Sequence, residues 1–229
     1  MTILVVSGTG TEIGKTVVTA AVAAAFRGRR VAVLKPAQTG LAPGEPGDAA
    51  EVARLAGAHV TAVELARFPE PLAPATAARR AGMAPVRPYE VAEAAQKLAT
   101  EHDLVLVEGA GGLLVRFDDE GATLADAARL MGAPVLVVAP AGLGTLNATA
   151  LTAEALRARG IECLGVVVGS MPSEPDLAAR CNLDDLPVAA GAPLLGAVPA
   201  GAGSLPPVDF RARAASWLAP ELGGDGYGR

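Results

Sequence analysis

The stretch Ile3-Leu4-Val5-Val6 followed by Gly8-Thr9-Gly10-Thr11-Glu12-Ile13-Gly14-Lys15-Thr16 decides how the rest of the chain is read. An apolar run reads as a buried strand, and here it turns through glycines into Gly-Lys-Thr at the head of a helical pattern. In such a loop successive backbone N–H groups point at a phosphate chain, which rests on the N-terminus of the following helix. Lys15 is expected to bring positive charge to the outer phosphates, and the Thr16 hydroxyl to ligate Mg²⁺. Five residues separate Gly8 from Gly14, one more than in the strict phosphate-loop pattern. The expectation is a nucleoside-triphosphate site; the alternative is a plain strand-to-helix turn.

Composition fits a compact enzyme. A chain of 229 residues suits one α/β domain, here expected over residues 1–222, with 223–229 a loose tail. The 51% hydrophobic share with only 3% aromatic means a core of Ala, Val and Leu, the usual filling of a parallel sheet covered on both faces. A net charge of −5 and the lack of any Lys/Arg cluster argue against nucleic acid as a partner. Cys163 and Cys181 match neither a disulfide framework nor a metal-ligand spacing. With a core strand at the very start and no run of spanning length, neither a signal peptide nor a membrane segment is expected, and the location expected is cytoplasmic.

Strand and helix signals alternate. Strands are expected at Thr2–Ser7, Arg30–Lys35, Leu104–Val107, Pro134–Ala139, Glu162–Val168 and Pro193–Val198. Helices are expected at Lys15–Arg27, Asp48–Leu55, Glu90–Thr100, Leu146–Arg159 and Asp209–Leu218. Residues 58–90 are rich in Pro and Ala and ambiguous, with a helix plausible at Ala73–Ala81. The alternation predicts a doubly wound, mostly parallel sheet with helices on both faces, of the P-loop type.

Ligands on such sheets bind at the carboxyl ends of the strands, so polar residues there belong together. Lys35 ends the second strand ahead of Pro36-Ala37-Gln38-Thr39-Gly40; it either meets an anion or extends its stem to water. Glu108 follows Val107 and precedes small residues that let a ligand approach the backbone. Its carboxylate could reach a metal held by Thr16. Asp48 is either a second metal ligand or a helix cap. His59 and His102 lie in no ligand cluster, and Phe210 and Trp217 read as packing of the last helix.

Four motifs in order then carry a specific resemblance: Gly8–Thr16, Lys-Pro-Ala-Gln-Thr-Gly at 35–40, Val-Glu-Gly-Ala-Gly-Gly at 107–112 and Gly-Thr-Leu-Asn at 144–147. Together, from Met1 to about Leu205, the chain resembles the dethiobiotin synthetases, ATP-dependent carboxylases of biotin synthesis. The resemblance implies that one amine of 7,8-diaminononanoate captures CO₂ as a carbamate. The carbamate attacks the γ-phosphate of ATP, and the second amine closes a cyclic urea. It implies catalytic roles for Lys35, Lys15 and Thr11, with Thr11 and Thr39 near the reacting amines. Thr16, Asp48 and Glu108 match the Mg²⁺ residues. Glu12, Ile13, Gly14, Val17, Gly109, Ala110 and Gly111 join the nucleotide set. Gly142, Leu143, Gly144, Thr145, Leu146 and Asn147 match the turn that receives the substrate carboxylate from a neighbouring subunit, which implies a homodimer.

One position departs from the family pattern. Members often carry Asn-Asp where this chain has Gly169-Ser170, and the asparagine reads adenine. Gly169, Ser170, Pro199 and Ala200 are expected to line the base pocket, and with no side chain at 169 discrimination would depend on backbone groups, which implies weaker base selectivity. Three rival readings differ in function. A cobyrinate amide synthetase-like ligase would need a glutaminase domain, for which no length remains. A ParA- or MinD-like ATPase switch carries an extra lysine early in its loop, where this chain has Thr9 and Thr11. A non-catalytic nucleotide module would not need Lys35, Thr39 and Glu108 together.

Overall fold

A computed structural model describes residues 2–226. Among them, seven strands form one sheet in the order β3-β2-β4-β1-β5-β6-β7. They are β1 (Ile3–Gly8), β2 (Val31–Thr39), β3 (Val60–Phe68), β4 (Leu104–Gly112), β5 (Val135–Ala139), β6 (Cys163–Met171) and β7 (Leu194–Pro199). Every pairing between them is parallel, not merely most.

Parallel strands need crossover connections, and helices supply them. These are α1 (Lys15–Ala25), α2 (Asp48–Ala56), α3 (Pro74–Ala81), α4 (Pro88–Ala99), α5 (Leu124–Met131), α6 (Thr145–Arg157), α7 (Leu177–Ala190) and α8 (Pro207–Arg213). Period-two alternation divides the strand residues between two cores. Leu4, Val6, Val31, Val33, Leu106 and Val138 face α1, α2 and α8, where Val18, Val22, Val52, Leu55 and Phe210 are buried. Val5, Leu34, Val105, Val107, Val137 and Val168 face the other side, with Val91, Leu124, Leu156 and Leu186 from α4 to α7. Each such side chain contributes about 1.5–3 kcal/mol on burial.

Several expectations shift. The ambiguous 58–90 segment contains β3, an edge strand paired in register with β2 from Val31↔Val60 to Thr39↔Phe68. β2 does not stop at Lys35. Its ladder to β4 ends at Leu34, and from there it continues along β3 alone, so Pro36 sits where the missing N–H removes no bond to β4. The helices α5 and α7 add to those expected from the sequence. The expected helix Asp209–Leu218 is α8 followed by a 3₁₀ turn at Ala214–Trp217, and Phe210 meets Trp217 edge to face at 5.3 Å. Of the expected tail, the N–H groups of Gly223, Gly224 and Asp225 bond back to Pro220, Ala219 and Ala215; Tyr227–Arg229 lie outside the described residues. Cys163 is half-buried against the core and Cys181 exposed, both as free thiols. Among the described residues no helix is long and apolar enough to cross a membrane.

Candidate active site

The loop between β1 and α1 sits at the sheet centre, since β1 is flanked by β4 and β5. Two residues there adopt left-handed backbone: Gly14 at φ 92° and, unusually for a residue with a side chain, Glu12 at φ 59°. The Glu12 conformation costs about 1–2 kcal/mol and fits a loop whose path is set by what it must hold. Gly14 has a second reason to be glycine. A Cβ there would stand 2.4 Å from the carbonyl oxygen of Gly169, so the loop lies directly on β6. The contact is mutual: a Cβ on Gly169 would stand 2.0 Å from the Ile13 carbonyl oxygen.

A cleft of about 830 Å³ opens at this edge and gathers residues from four strand ends. Thr11, Glu12, Gly14, Lys15 and Thr16 line it from the loop, and Lys35 and Thr39 from β2. Asp48 lines it from the start of α2, and Glu108, Ala110 and Gly111 from β4. Pro71 and Pro74 form an apolar wall.

The charges at the bottom are paired closely. Lys35 is 2% exposed and its Nζ donates to Glu108 Oε1 at 2.9 Å and to the Gly109 carbonyl at 3.1 Å, while pairing also with Asp48. The Thr16 hydroxyl donates to the same Glu108 oxygen at 2.9 Å. Glu108 itself is 1% exposed, and its Oε2 has no protein partner. A buried carboxylate oxygen left without a donor is expensive unless a cation meets it. Burial pulls the Lys35 ammonium down, but Glu108 and Asp48 outweigh it and hold its pKa above the ordinary lysine value. Lys15 goes the other way: burial and then the charge of Lys35 lower its pKa, only partly offset by Glu108 and Asp48. Its Nζ donates to the Gly10 carbonyl at 2.7 Å, curled back over its own loop.

The sequence reading missed the supports behind this pair of lysines. Gln38 Oε1 accepts the Asp48 N–H at 2.8 Å and so fixes the first residue of α2. Arg67, on the unread strand β3, donates to Glu64 through two nitrogens and to the carbonyls of Ala42 and Glu45 through a third. It thereby ties down the loop that leads to Asp48.

Other expected residues stand outside the cleft. Ile13 packs toward Gly8, and Val17 toward Gly203 in the turn after β7. Gly169 lies behind the loop, and Ser170, Pro199 and Ala200 are exposed beside it. Gly142–Asn147 follow β5 on the far side of β1 and line no part of the cleft. Thr145 points inward, its hydroxyl buried without a partner. His59 and His102 bond to backbone carbonyls of Ala23 and Leu98, away from the site.

A phosphate loop on the central strand of a parallel sheet, with lysines and carboxylates from neighbouring strand ends converging on it, is the arrangement of a P-loop nucleoside-triphosphate enzyme. Solved structures agree on the fold. The MinC:MinD complex of Aquifex aeolicus superposes with a TM-score of 0.59 at 14% identity, covering 93% of this chain and 86% of that one. A ParA family ATPase from Chlorobium tepidum does so at 0.58 and 11%, covering 97% and 96%. A family model described as an AAA domain matches residues 2–207. Among curated relatives, the ATP-dependent dethiobiotin synthetase of Streptomyces avermitilis is 74% identical over 98% of this chain and 94% of its own. That of Saccharopolyspora erythraea is 73% identical over 98% of both. The chain belongs to the ATP-dependent dethiobiotin synthetase family.

Proposed function

We propose that this chain carries out the family's reaction, closing 7,8-diaminononanoate with CO₂ and ATP into the cyclic urea dethiobiotin, within a single domain reaching Leu222. The observation that carries the reading is Lys35, buried at the cleft floor between Glu108 and Asp48 and one loop away from Lys15. A purely nucleotide-binding module gains nothing from a second buried lysine there.

The roles follow from position. One amine adds to CO₂ and loses a proton to give a carbamate. A carbamate oxygen attacks the γ-phosphorus and ADP leaves. The second amine then attacks the carbamoyl carbon and gives up a proton as the C–O bond to phosphate breaks, phosphate departs and the ring closes. Lys35 offers a compact positive charge on a flexible stem, suited to holding two anions, carbamate and γ-phosphate, against each other. Lys15 neutralises the outer phosphates, and the loop N–H groups hold them in line. Thr11 and Thr39, at the cleft wall, place hydroxyls for the amines. The unpartnered Glu108 oxygen beside the Thr16 hydroxyl, with Asp48 across Lys35, fits a hard divalent cation. Mg²⁺ held there would neutralise charge developing on the transferred phosphoryl group.

The substrate carboxylate is assigned to Gly142–Asn147 of a second copy. The helix α6 begins there after Gly144 with no side-chain cap; the Thr145 N–H bonds to the Gly142 carbonyl at 3.4 Å, leaving those of Leu146 and Asn147 for an anion. Beside it lies an apolar surface that suits a homodimer, with Leu143 90% exposed and Leu151 58%, next to Leu114. The location is cytoplasmic on this reading. The test is phosphate release with Mg²⁺, bicarbonate and ATP, with and without 7,8-diaminononanoate, following the cyclic urea by mass spectrometry. Substrate-dependent release with the mass of the closed urea is expected. Hydrolysis independent of the diamine and without product would move the chain to the ATPase-switch class.

A further inference from the structure

We infer that Asn182, far along the sequence from every motif above, is the positioning residue that turns the Ala141–Leu143 peptides so that their N–H groups face an anionic ligand. This rests on the assignment of the substrate carboxylate to that turn. Asn182 lies on α7, is 6% exposed, and its Nδ2 donates to the carbonyl oxygens of Ala141 at 2.7 Å and Gly142 at 3.1 Å. Both partners are acceptors, so the amide must present its NH₂ end to them.

The consequence is covalent. In a planar trans peptide the C=O and the next residue's N–H point in opposite directions, and the described chain has no cis bond. Drawing the Ala141 and Gly142 carbonyls toward α7 therefore aims the N–H groups of Gly142 and Leu143 away from it. Two carbonyl dipoles that would repel a carboxylate are taken to the buried side. The N–H groups freed on the outer side join those at the start of α6. Gly142 and Gly144 allow the tight turn this requires, Gly144 at φ 86°. Without Asn182 the Ala141 carbonyl loses its buried donor and the Gly142 carbonyl keeps only the longer 3.4 Å bond from the Thr145 N–H, so the two peptides are held far less firmly away from the ligand.

The experiment compares wild type and Asn182→Ala with two substrates: 7,8-diaminononanoate, and a vicinal diamine of the same chain length ending in a methyl group. Wild type is expected to prefer the carboxylate substrate. Asn182→Ala is expected to raise KM for 7,8-diaminononanoate roughly tenfold to a hundredfold, from the loss of hydrogen bonds to buried carbonyls. The kcat, KM for ATP and activity on the methyl-ended diamine should stay within about twofold. A wild type without preference overturns the carboxylate assignment and this inference together. A preference that survives in the variant overturns the role of Asn182 alone, as does an equal loss with both diamines. Asn182→Ser retains one donor and should fall between the two, which keeps the comparison available if Asn182→Ala folds poorly.

Discussion

On the β1, β2 and β4 side of the sheet's carboxyl edge, the site is made of charged and hydroxyl side chains, Lys15, Thr16, Lys35, Asp48 and Glu108. On the β5 and β6 side the same edge is made almost wholly of backbone: the Ile13–Gly169 contact and, outside the cleft, the α6 N-terminus and the carbonyls held by Asn182. On the proposed reading both halves meet anions, one by placing full charges at the floor of a cleft and the other by aiming peptide dipoles. The first arrangement needs its residues at every position and suffers from any single loss. The second depends on the chain's path and tolerates exchange of side chains that point elsewhere.

The largest expected breach of this contrast is Lys35→Ala. Turnover should fall about a thousandfold, by analogy with loss of a preorganised charge-stabilising donor. Calorimetric affinity for Mg-nucleotide should change little. Equal loss of both would make Lys35 a nucleotide anchor and erase the division of labour between the two lysines. The variant also leaves Glu108 buried without its ammonium. In the absence of ligand it should lose about 3–5 kcal/mol of stability, read as a lower melting temperature.

Next in size is Gln38→Leu, which removes the acceptor for the Asp48 N–H while keeping the site's charges. Divalent-metal affinity, read by Mn²⁺ titration with a non-hydrolysable triphosphate, should weaken about tenfold to a hundredfold, as for other groups that orient metal ligands. An unchanged affinity would mean that the α2 N-terminus holds Asp48 unaided.

Gly169→Ala probes the backbone half without touching any charge. One methyl group forced against the Ile13 carbonyl should destabilise by about 1–3 kcal/mol and weaken all nucleoside triphosphates alike. A gain in stability would show that the loop retreats at no cost. The smallest expected effect is in base choice. With no side chain at 169 to read a base edge, kcat/KM for ATP, CTP and GTP should agree within about tenfold. A strict ATP preference would show that backbone groups alone suffice to discriminate.

The same contrast explains what could be read in advance. Lys35 and Glu108 stand directly after apolar runs and Lys15 closes the glycine-rich loop that follows another, so their place at the sheet's carboxyl edge was legible, and the doubly wound sheet followed from the spacing of those runs. The strand β3 was not legible, because Val60–Phe68 is a half-exposed edge strand with neither a continuous apolar run nor clean alternation. Its neighbourhood is also crowded with proline. With β3 unread, Arg67 and its hold on the Asp48 loop were invisible. The helix α7 was obscured by Pro187 within it. Asn182 left no signal of any kind, since its effect lies in how two carbonyls some forty residues earlier are turned.

The abutment of the phosphate loop on β6 also limits which sequences can be reached from this one. An asparagine placed at 169 meets the Ile13 carbonyl before its amide can extend toward a base. A chain that carried that side chain would have to take residues 9–13 along a different path. Base reading and loop path are thus sterically coupled, and grafting the asparagine alone would yield a poorer phosphate site rather than a more selective enzyme.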